Sequence, residues 1–160
     1  MFGTKKLIIM LFTTILINNV WSAGFPRGCE VTGFGYNGTS LVLNEKGEQT
    51  YYLVQNRNKR EIEMQRVQAP DEFMTPPLTA RMSPSNWSAF ASDIGNLHFQ
   101  CFIPEENNKV QVDCRDVLDV CQYPRVKFAL SNMGNYWVSV NKEQRQVINE
   151  STAKGIYLRW

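Results

Sequence analysis

The placement of four cysteines constrains this chain more than any other feature. Cys101, Cys114 and Cys121 lie in one stretch, His98–Phe128, whereas Cys29 lies far upstream. In an exported chain, an even number of cysteines is typical of disulfides, and the absence of a C-x-x-C pair argues against zinc. We therefore predict two disulfides and expect neither a metal nor a cofactor.

The N-terminus has the pattern of a secretory signal peptide, which we assign to residues 1–22. A pair of lysines precedes an apolar run, Leu7–Ile17, that is shorter than the roughly 20 residues a membrane-spanning helix needs. Val20 and Ser22 fit the positions that precede a signal-peptidase site. We therefore expect cleavage after Ser22 or one residue later. The mature chain, residues 23–160, is then a single periplasmic or secreted domain without a membrane span.

The charge balance of the mature chain argues against a polyanionic partner such as nucleic acid. Removing residues 1–22 takes away 2 of the 17 basic groups and none of the 15 acidic groups, so 15 of each sign remain. A nucleic-acid-binding domain usually carries a clear surplus of basic residues. We therefore expect no nucleic-acid partner.

Alternation within His98–Phe128 predicts an antiparallel hairpin with its turn at Glu106–Lys109. The predicted apolar face holds Phe99, Cys101, Ile103, Val110, Val112 and Cys114, and the polar face holds His98, Gln100, Lys109, Gln111 and Asp113. Only Phe102 departs from the alternation. Because His98 falls on the face opposite the cysteines, no Cys–His nucleophile is predicted. We identify no catalytic residue and do not expect an enzyme.

The same hairpin favours one disulfide pairing over another. Cys101 falls opposite Cys114, and directly opposed residues lie about 4.5 to 5.5 Å apart at Cα, which suits a disulfide. This favours Cys101–Cys114 and Cys29–Cys121. The alternative joins Cys29 to Cys101 and Cys114 to Cys121. It needs an irregular loop, because a helical turn over Arg115–Val120 would hold its second pair roughly 10 Å apart.

Patterns elsewhere predict a mainly β, α+β fold. The predicted strands are Cys29–Tyr36, Leu41–Leu43, Gln49–Asn56, Glu61–Val67, Val126–Leu130, Tyr136–Val140 and Ile156–Trp160. One predicted helix begins at Ser83–Pro84 and carries Trp87, Phe90, Ala91 and Ile94 on one side. A second begins at Asn141 and ends at Gly155, and Gln68–Ser83 forms a proline-rich loop. The expected architecture is an antiparallel β-sandwich or partly open barrel with two short helices and two disulfides.

Aromatic and basic residues near the cysteines form a candidate binding surface. The set is Tyr123, Arg125, Tyr136, Trp137 and Trp160. Such residue types are enriched at interaction hot spots, so we expect a protein partner from the envelope or from a host. A glycan- or peptidoglycan-binding module is the alternative. It would require Trp87, Trp137 and Tyr136 to be exposed in one plane.

Four segments carry a family resemblance. They are GCEVTGFGYNG at 28–38, LVLNEKGEQTYYLVQNR at 41–57, WSAFASD at 87–93 and VLDVCQYPRVKFALSNMGNYWVS at 117–139. Together they resemble the enhanced-entry protein B family, small proteins exported by intracellular bacterial pathogens, over nearly the whole mature chain. The resemblance implies a periplasmic or secreted accessory protein that supports host-cell entry or intracellular survival. It assigns no catalytic residue.

Overall fold

The computed structural model describes residues 24–68, 78–129 and 136–159. The expected signal peptide, Trp160 and most of the proline-rich segment lie outside the described residues. The first strands are β1 Phe34–Asn37, β2 Ser40–Leu43, β3 Thr50–Asn56, β4 Ile62–Arg66, β5 Thr79–Met82 and β6 Trp87–Ser92. The remaining elements are β7 Leu97–Pro104, β8 Lys109–Val112, α1 Cys114–Val117, β9 Leu118–Tyr123, β10 Val126–Phe128, β11 Tyr136–Asn141, α2 Gln144–Ala153 and β12 Ile156–Leu158.

The strands form antiparallel sheets that pack in layers. An outer sheet of six strands runs β1–β2–β7–β4–β5, with β8 also paired to β7. A middle sheet of four strands runs β11–β6–β3–β9, and β10 pairs with β12 in a separate ribbon. The fold is therefore a mainly β antiparallel sandwich with two helices and two disulfides, the first of the two architectures that the sequence predicts.

The middle sheet is buried on both of its faces. Tyr52 and Val54 of β3 join a core cluster shared with the outer sheet. Their neighbours Tyr51 and Leu53 join a second cluster, formed with α2, the β10–β12 ribbon and the segment around Cys29. Successive side chains of a strand point to opposite faces, so one strand contributes to both cores.

Both preferred disulfides are present. Cys29 bonds to Cys121 with 5.5 Å between the Cα atoms, and Cys101 bonds to Cys114 with 5.3 Å. The predicted hairpin register is nevertheless wrong by two residues, because Cys101 lies opposite Val112 and the connection spans residues 105–108. A shift of two residues keeps every side chain on its predicted face. Cys114 reaches Cys101 because the chain turns into α1 directly after β8.

The helix predicted from Ser83 is wrong, and the segment forms β6. All six residues of β6 are buried, with Phe90 in the core shared with the outer sheet and Trp87 in the second core. A strand buried on both faces has no polar alternation, so its apolar residues fit a helical spacing by chance. Ser83 instead accepts the turn hydrogen bond from the backbone N–H of Asn86 at 3.0 Å.

Only the first part of Arg115–Val120 is helical. Helix α1 covers only Cys114–Val117, with Asp113 capping the N–H of Arg115, and the chain then extends as β9. Cys121 lies within β9, opposite Leu53 of β3. Neither β9 nor β5 was predicted from the sequence, because β9 follows a segment that allows a helical turn and β5 lies within the proline-rich segment.

Smaller differences concern the ends of elements. The first strand begins at Phe34 rather than at Cys29, since Gly33 adopts a φ of +73° and its backbone approaches Gln122 closely. Helix α2 confirms the second predicted helix. Its N-cap is Glu143 rather than Asn141, whose side chain instead accepts a hydrogen bond from the N–H of Glu143 at 3.1 Å.

Candidate interaction surface on the outer sheet

Tyr123, which the sequence assigns to the binding surface, is a core residue. It is 1% exposed and packs edge-on against Tyr51, with 5.8 Å between ring centroids. Burial raises the pKa of its phenol from 10.0 to about 12, because the ionised form loses hydration in the core. Tyr123 is therefore not available to a partner.

The three aromatic residues that the glycan alternative requires, Trp87, Trp137 and Tyr136, are not exposed in one plane. Tyr136 packs against the core shared with the outer sheet and stacks on Phe90, with 6.4 Å between centroids, whereas Trp137 packs against the second core. Trp87 is only 8% exposed. Arg125 is exposed, and Trp160 lies outside the described residues. The structure thus places Tyr136 and Trp137 on opposite faces of β11 rather than side by side as a platform for a glycan.

Phe102, the residue that breaks the hairpin pattern, points away from both cores. Its neighbour Cys101 faces the shared core, so Phe102 faces outward from β7. It lies opposite Glu63 on β4 and Gln111 on β8, and Glu63 in turn lies opposite Arg81 on β5. A row of side chains from four strands therefore crosses the outer face of the sheet.

Glu63 is a buried carboxylate at the centre of this row. Its side chain is 3% exposed, and it accepts hydrogen bonds from Arg81 Nε at 2.6 Å and Lys109 Nζ at 2.9 Å. Gln65 also donates to it. Burial opposes ionisation of Glu63, but the hydrogen bonds and charges of Lys109 and Arg81 outweigh it and lower the pKa below its usual 4.5.

The two cations remain accessible while Glu63 holds them in place. Arg81 is 66% exposed at its side chain and uses Nε on Glu63, which leaves its terminal N–H groups for a partner. Lys109 lies over the ring of Phe102, with 5.1 Å from Nζ to the centroid. We call Glu63, Arg81, Phe102 and Lys109 the Phe102 patch.

A disulfide stabilises the strand that carries this patch. Cys101 precedes Phe102 in β7 and bonds to Cys114, whose backbone N–H also donates to the carbonyl of Thr39 at 3.0 Å. Strand β7 is therefore linked covalently to α1, and α1 in turn is linked by a hydrogen bond to the β1–β2 turn. The disulfide therefore restrains the backbone of β7 next to Phe102.

A separate cavity of about 360 Å³ lies beside the turn between β2 and β3. It is lined by Gly33, Phe34, Asn44, Glu45, Lys46, Glu48, Thr50, Tyr52, Gln122 and Pro124. The Tyr52 hydroxyl donates to the Gly33 carbonyl at 2.5 Å and accepts from the Asn44 N–H at 2.9 Å, and burial raises its pKa. These bonds shape the wall of the cavity. Its lining offers hydrogen bonds to a small polar molecule but includes no cysteine, histidine or serine nucleophile.

No protein-family model, curated protein or solved structure matches the chain. Among the residues that the structure describes, no group of three or more His, Cys, Asp and Glu side chains is placed to hold a metal ion. Neither described helix has the length and apolar character needed to cross a membrane.

Sequence reasoning could find part of the Phe102 patch. Phe102 stood out as the one apolar residue on the polar face of the predicted hairpin. Glu63 did not, because it occupies an ordinary polar position in an alternating strand. Its burial depends on Arg81 and Lys109, which come from strands that the sequence places in a loop or at a turn.

Proposed function

We propose that this protein is an exported, non-enzymatic accessory protein of the bacterial envelope that binds a protein partner through the Phe102 patch. Its role is to support host-cell entry or intracellular survival. The observation that carries the proposal is the Phe102 ring beneath Lys109, with Lys109 and Arg81 both bonded to the buried Glu63.

The composition of the patch suits a protein partner. Aromatic and arginine side chains are enriched at interaction hot spots, where each loses solvent on binding. Arg81 and Lys109 are already held by Glu63, so little further side-chain entropy is lost when a partner contacts them. The ion pairs and the neighbouring disulfide thus lower the cost of binding.

Two further observations support the cellular part of the proposal. Disulfides persist mainly in oxidising compartments, and both pairs of cysteines are bonded. The resemblance to the enhanced-entry protein B family supplies the role in host-cell entry. Export is tested by N-terminal sequencing of the protein recovered outside the cytoplasm, which should begin at Ala23 or Gly24.

Binding through the patch is tested by photo-crosslinking in living bacteria. A benzoylphenylalanine is placed at Phe102 in one strain and at Val31 in another, where the native side chain is 66% exposed. A discrete crosslinked protein is expected from Phe102 and not from Val31. The same product from both positions, or none from Phe102, would contradict a partner at the patch.

The cellular role is tested by complementing a deletion strain in an entry assay. Wild type and Phe102→Tyr should restore entry, since both keep the aromatic ring. The double variant Phe102→Ala with Arg81→Gln should not, because truncating a hot spot typically weakens binding by about 2 kcal/mol, roughly thirtyfold. If this variant is exported at normal levels and still restores full entry, the Phe102 patch is not required for entry.

A further inference from the structure

The β10–β12 ribbon has a polar face that carries basic residues and no acidic residue. Val126 and Phe128 of β10, and Ile156 and Leu158 of β12, pack into the second core. The alternate residues therefore face outward, and Arg125, Lys127, Tyr157 and Arg159 are all exposed. We call these four residues the basic ribbon.

Pairing of the two strands brings the three cations close together. Lys127 lies directly opposite Tyr157, and the Arg159 N–H donates to the Arg125 carbonyl at 2.9 Å. Opposed residues of an antiparallel pair lie about 5 Å apart, and alternate residues along one strand lie about 7 Å apart. The backbone positions of the three cations thus lie within an area of roughly 5 by 7 Å.

No acid neutralises this cluster within the described residues. The segments 124–129 and 155–159 contain no aspartate or glutamate, although the mature chain has as many acids as bases. Across residues 24–68, 78–129 and 136–159, none of Arg125, Lys127 and Arg159 forms an ion pair. Three like charges held together without a counter-charge favour an anionic partner.

We propose that the basic ribbon binds an extended acidic peptide segment of a partner protein, with carboxylates at alternate positions. Side chains on one face of an extended peptide repeat about every 7 Å, which is close to the spacing expected between Lys127 of β10 and Arg125, the residue directly before β10. The two arginines offer planar forks that bind carboxylates bidentately, and exposed Tyr157, at 47%, offers a hydroxyl and a ring face.

The basic ribbon is distinct from the Phe102 patch. The ribbon covers the face of the middle sheet that points away from the outer sheet, whereas the patch lies on the solvent face of the outer sheet. The two surfaces therefore lie on opposite sides of the molecule. Loss of one leaves the other intact, so their tests are independent.

The test is fluorescence anisotropy with two labelled peptides and the oxidised mature protein. One peptide has glutamate at alternate positions, and its isomer has the same residues with the glutamates in one block. We expect the alternating peptide to bind at least about threefold more tightly, because only it matches the ribbon in an extended conformation. Equal binding of the two isomers, or no binding of either, would overturn the proposal.

Matched variants assign the binding to the ribbon. Arg125→Gln with Arg159→Gln should weaken binding at least about tenfold, because two charge-assisted contacts are lost. Arg27→Gln with Arg145→Gln removes the same charge from exposed positions elsewhere and should change binding less than about twofold. Equal losses in the two double variants would show a general charge effect and contradict the site.

A sulfated oligosaccharide and vesicles with anionic lipid test whether the basic ribbon binds other anionic partners. For neither of them should the Arg125→Gln with Arg159→Gln variant bind more weakly than the control double variant. If binding of the glycan or the vesicles shows that difference while binding of the peptide does not, the surface serves a different class of partner and the proposal is wrong.

Discussion

The middle sheet and the outer sheet differ in burial, and therefore in whether their side chains stabilise the fold or are available for binding. Both faces of the middle sheet are covered, and its strands β3 and β6 are almost entirely buried. The outer sheet has one covered face and one face in solvent, where Phe102 and the ions around Glu63 lie. Because the side chains of the middle sheet pack in the two cores, a binding surface can form only on a layer that has a solvent-exposed face.

The two disulfides give the largest expected contrast between the sheets. Cys29–Cys121 ties the N-terminal segment to the middle sheet across 92 residues, whereas Cys101–Cys114 spans 13 residues beside the outer sheet. In the chain-entropy model their losses cost about 5 and about 3 kcal/mol. Paired Cys→Ala variants measured by urea unfolding should show this order. The reverse order would mean that native-state contacts, rather than loop length, set the difference.

Two phenylalanines extend the comparison to single side chains. Phe90→Ala in the middle sheet should lower the free energy of unfolding by about 3 to 5 kcal/mol, because the ring is fully buried beside Phe99. Phe102→Ala should cost less than about 1 kcal/mol, since the ring faces outward. Urea midpoints with unchanged slopes would measure both losses. Similar costs for the two variants would contradict the division between core and surface.

Replacement of Glu63 tests the charged centre of the outer sheet. Glu63→Gln should lower the free energy of unfolding by about 1 to 2 kcal/mol, since Arg81 and Lys109 lose charge-assisted hydrogen bonds but stay hydrated.

The same variant should change the response to acid. The folded pKa of Glu63 is lowered, so its contribution is present above 4.5 and is lost as the pH falls through the folded value. The free energies of unfolding of wild type and Glu63→Gln, measured from neutral to acidic pH, should therefore converge as the pH falls. A difference that stays constant with pH would mean that the Glu63 carboxylate contributes no pH-dependent stability.

The smallest effect concerns Tyr123 at alkaline pH. Because its folded pKa is raised to about 12, its stabilisation is present below 10 and is lost as the pH rises from 10 towards 12. At pH 11 this loss is about 1 kcal/mol. Tyr123→Phe should remove that part of the alkaline decline, as measured by urea unfolding from neutral pH to pH 11. An identical decline in wild type and variant would contradict a shifted phenol.

The same contrast explains which elements could be predicted from the sequence. Strand β7 alternates because one of its faces is wet, and that alternation led to the hairpin, its faces and the Cys101–Cys114 bond. Strand β6 has no solvent-exposed face and therefore no polar alternation, so the spacing of Trp87 and Phe90 resembled that of a helix and led to a wrong prediction. The Phe102 patch needs β4, β5, β7 and β8 side by side, and their order is a tertiary property that local patterns do not contain.

The N-terminal segment also closes an edge of the middle sheet. Glu30 exchanges two backbone hydrogen bonds with Gln122 of β9, at 2.8 and 2.7 Å, next to the Cys29–Cys121 bond. An unpaired edge strand is a template for addition of a strand from another molecule. Oxidation of Cys29 with Cys121 therefore holds a short plug over β9. The bond that stabilises the fold therefore also keeps Glu30 paired at the edge where a strand from another molecule could otherwise add.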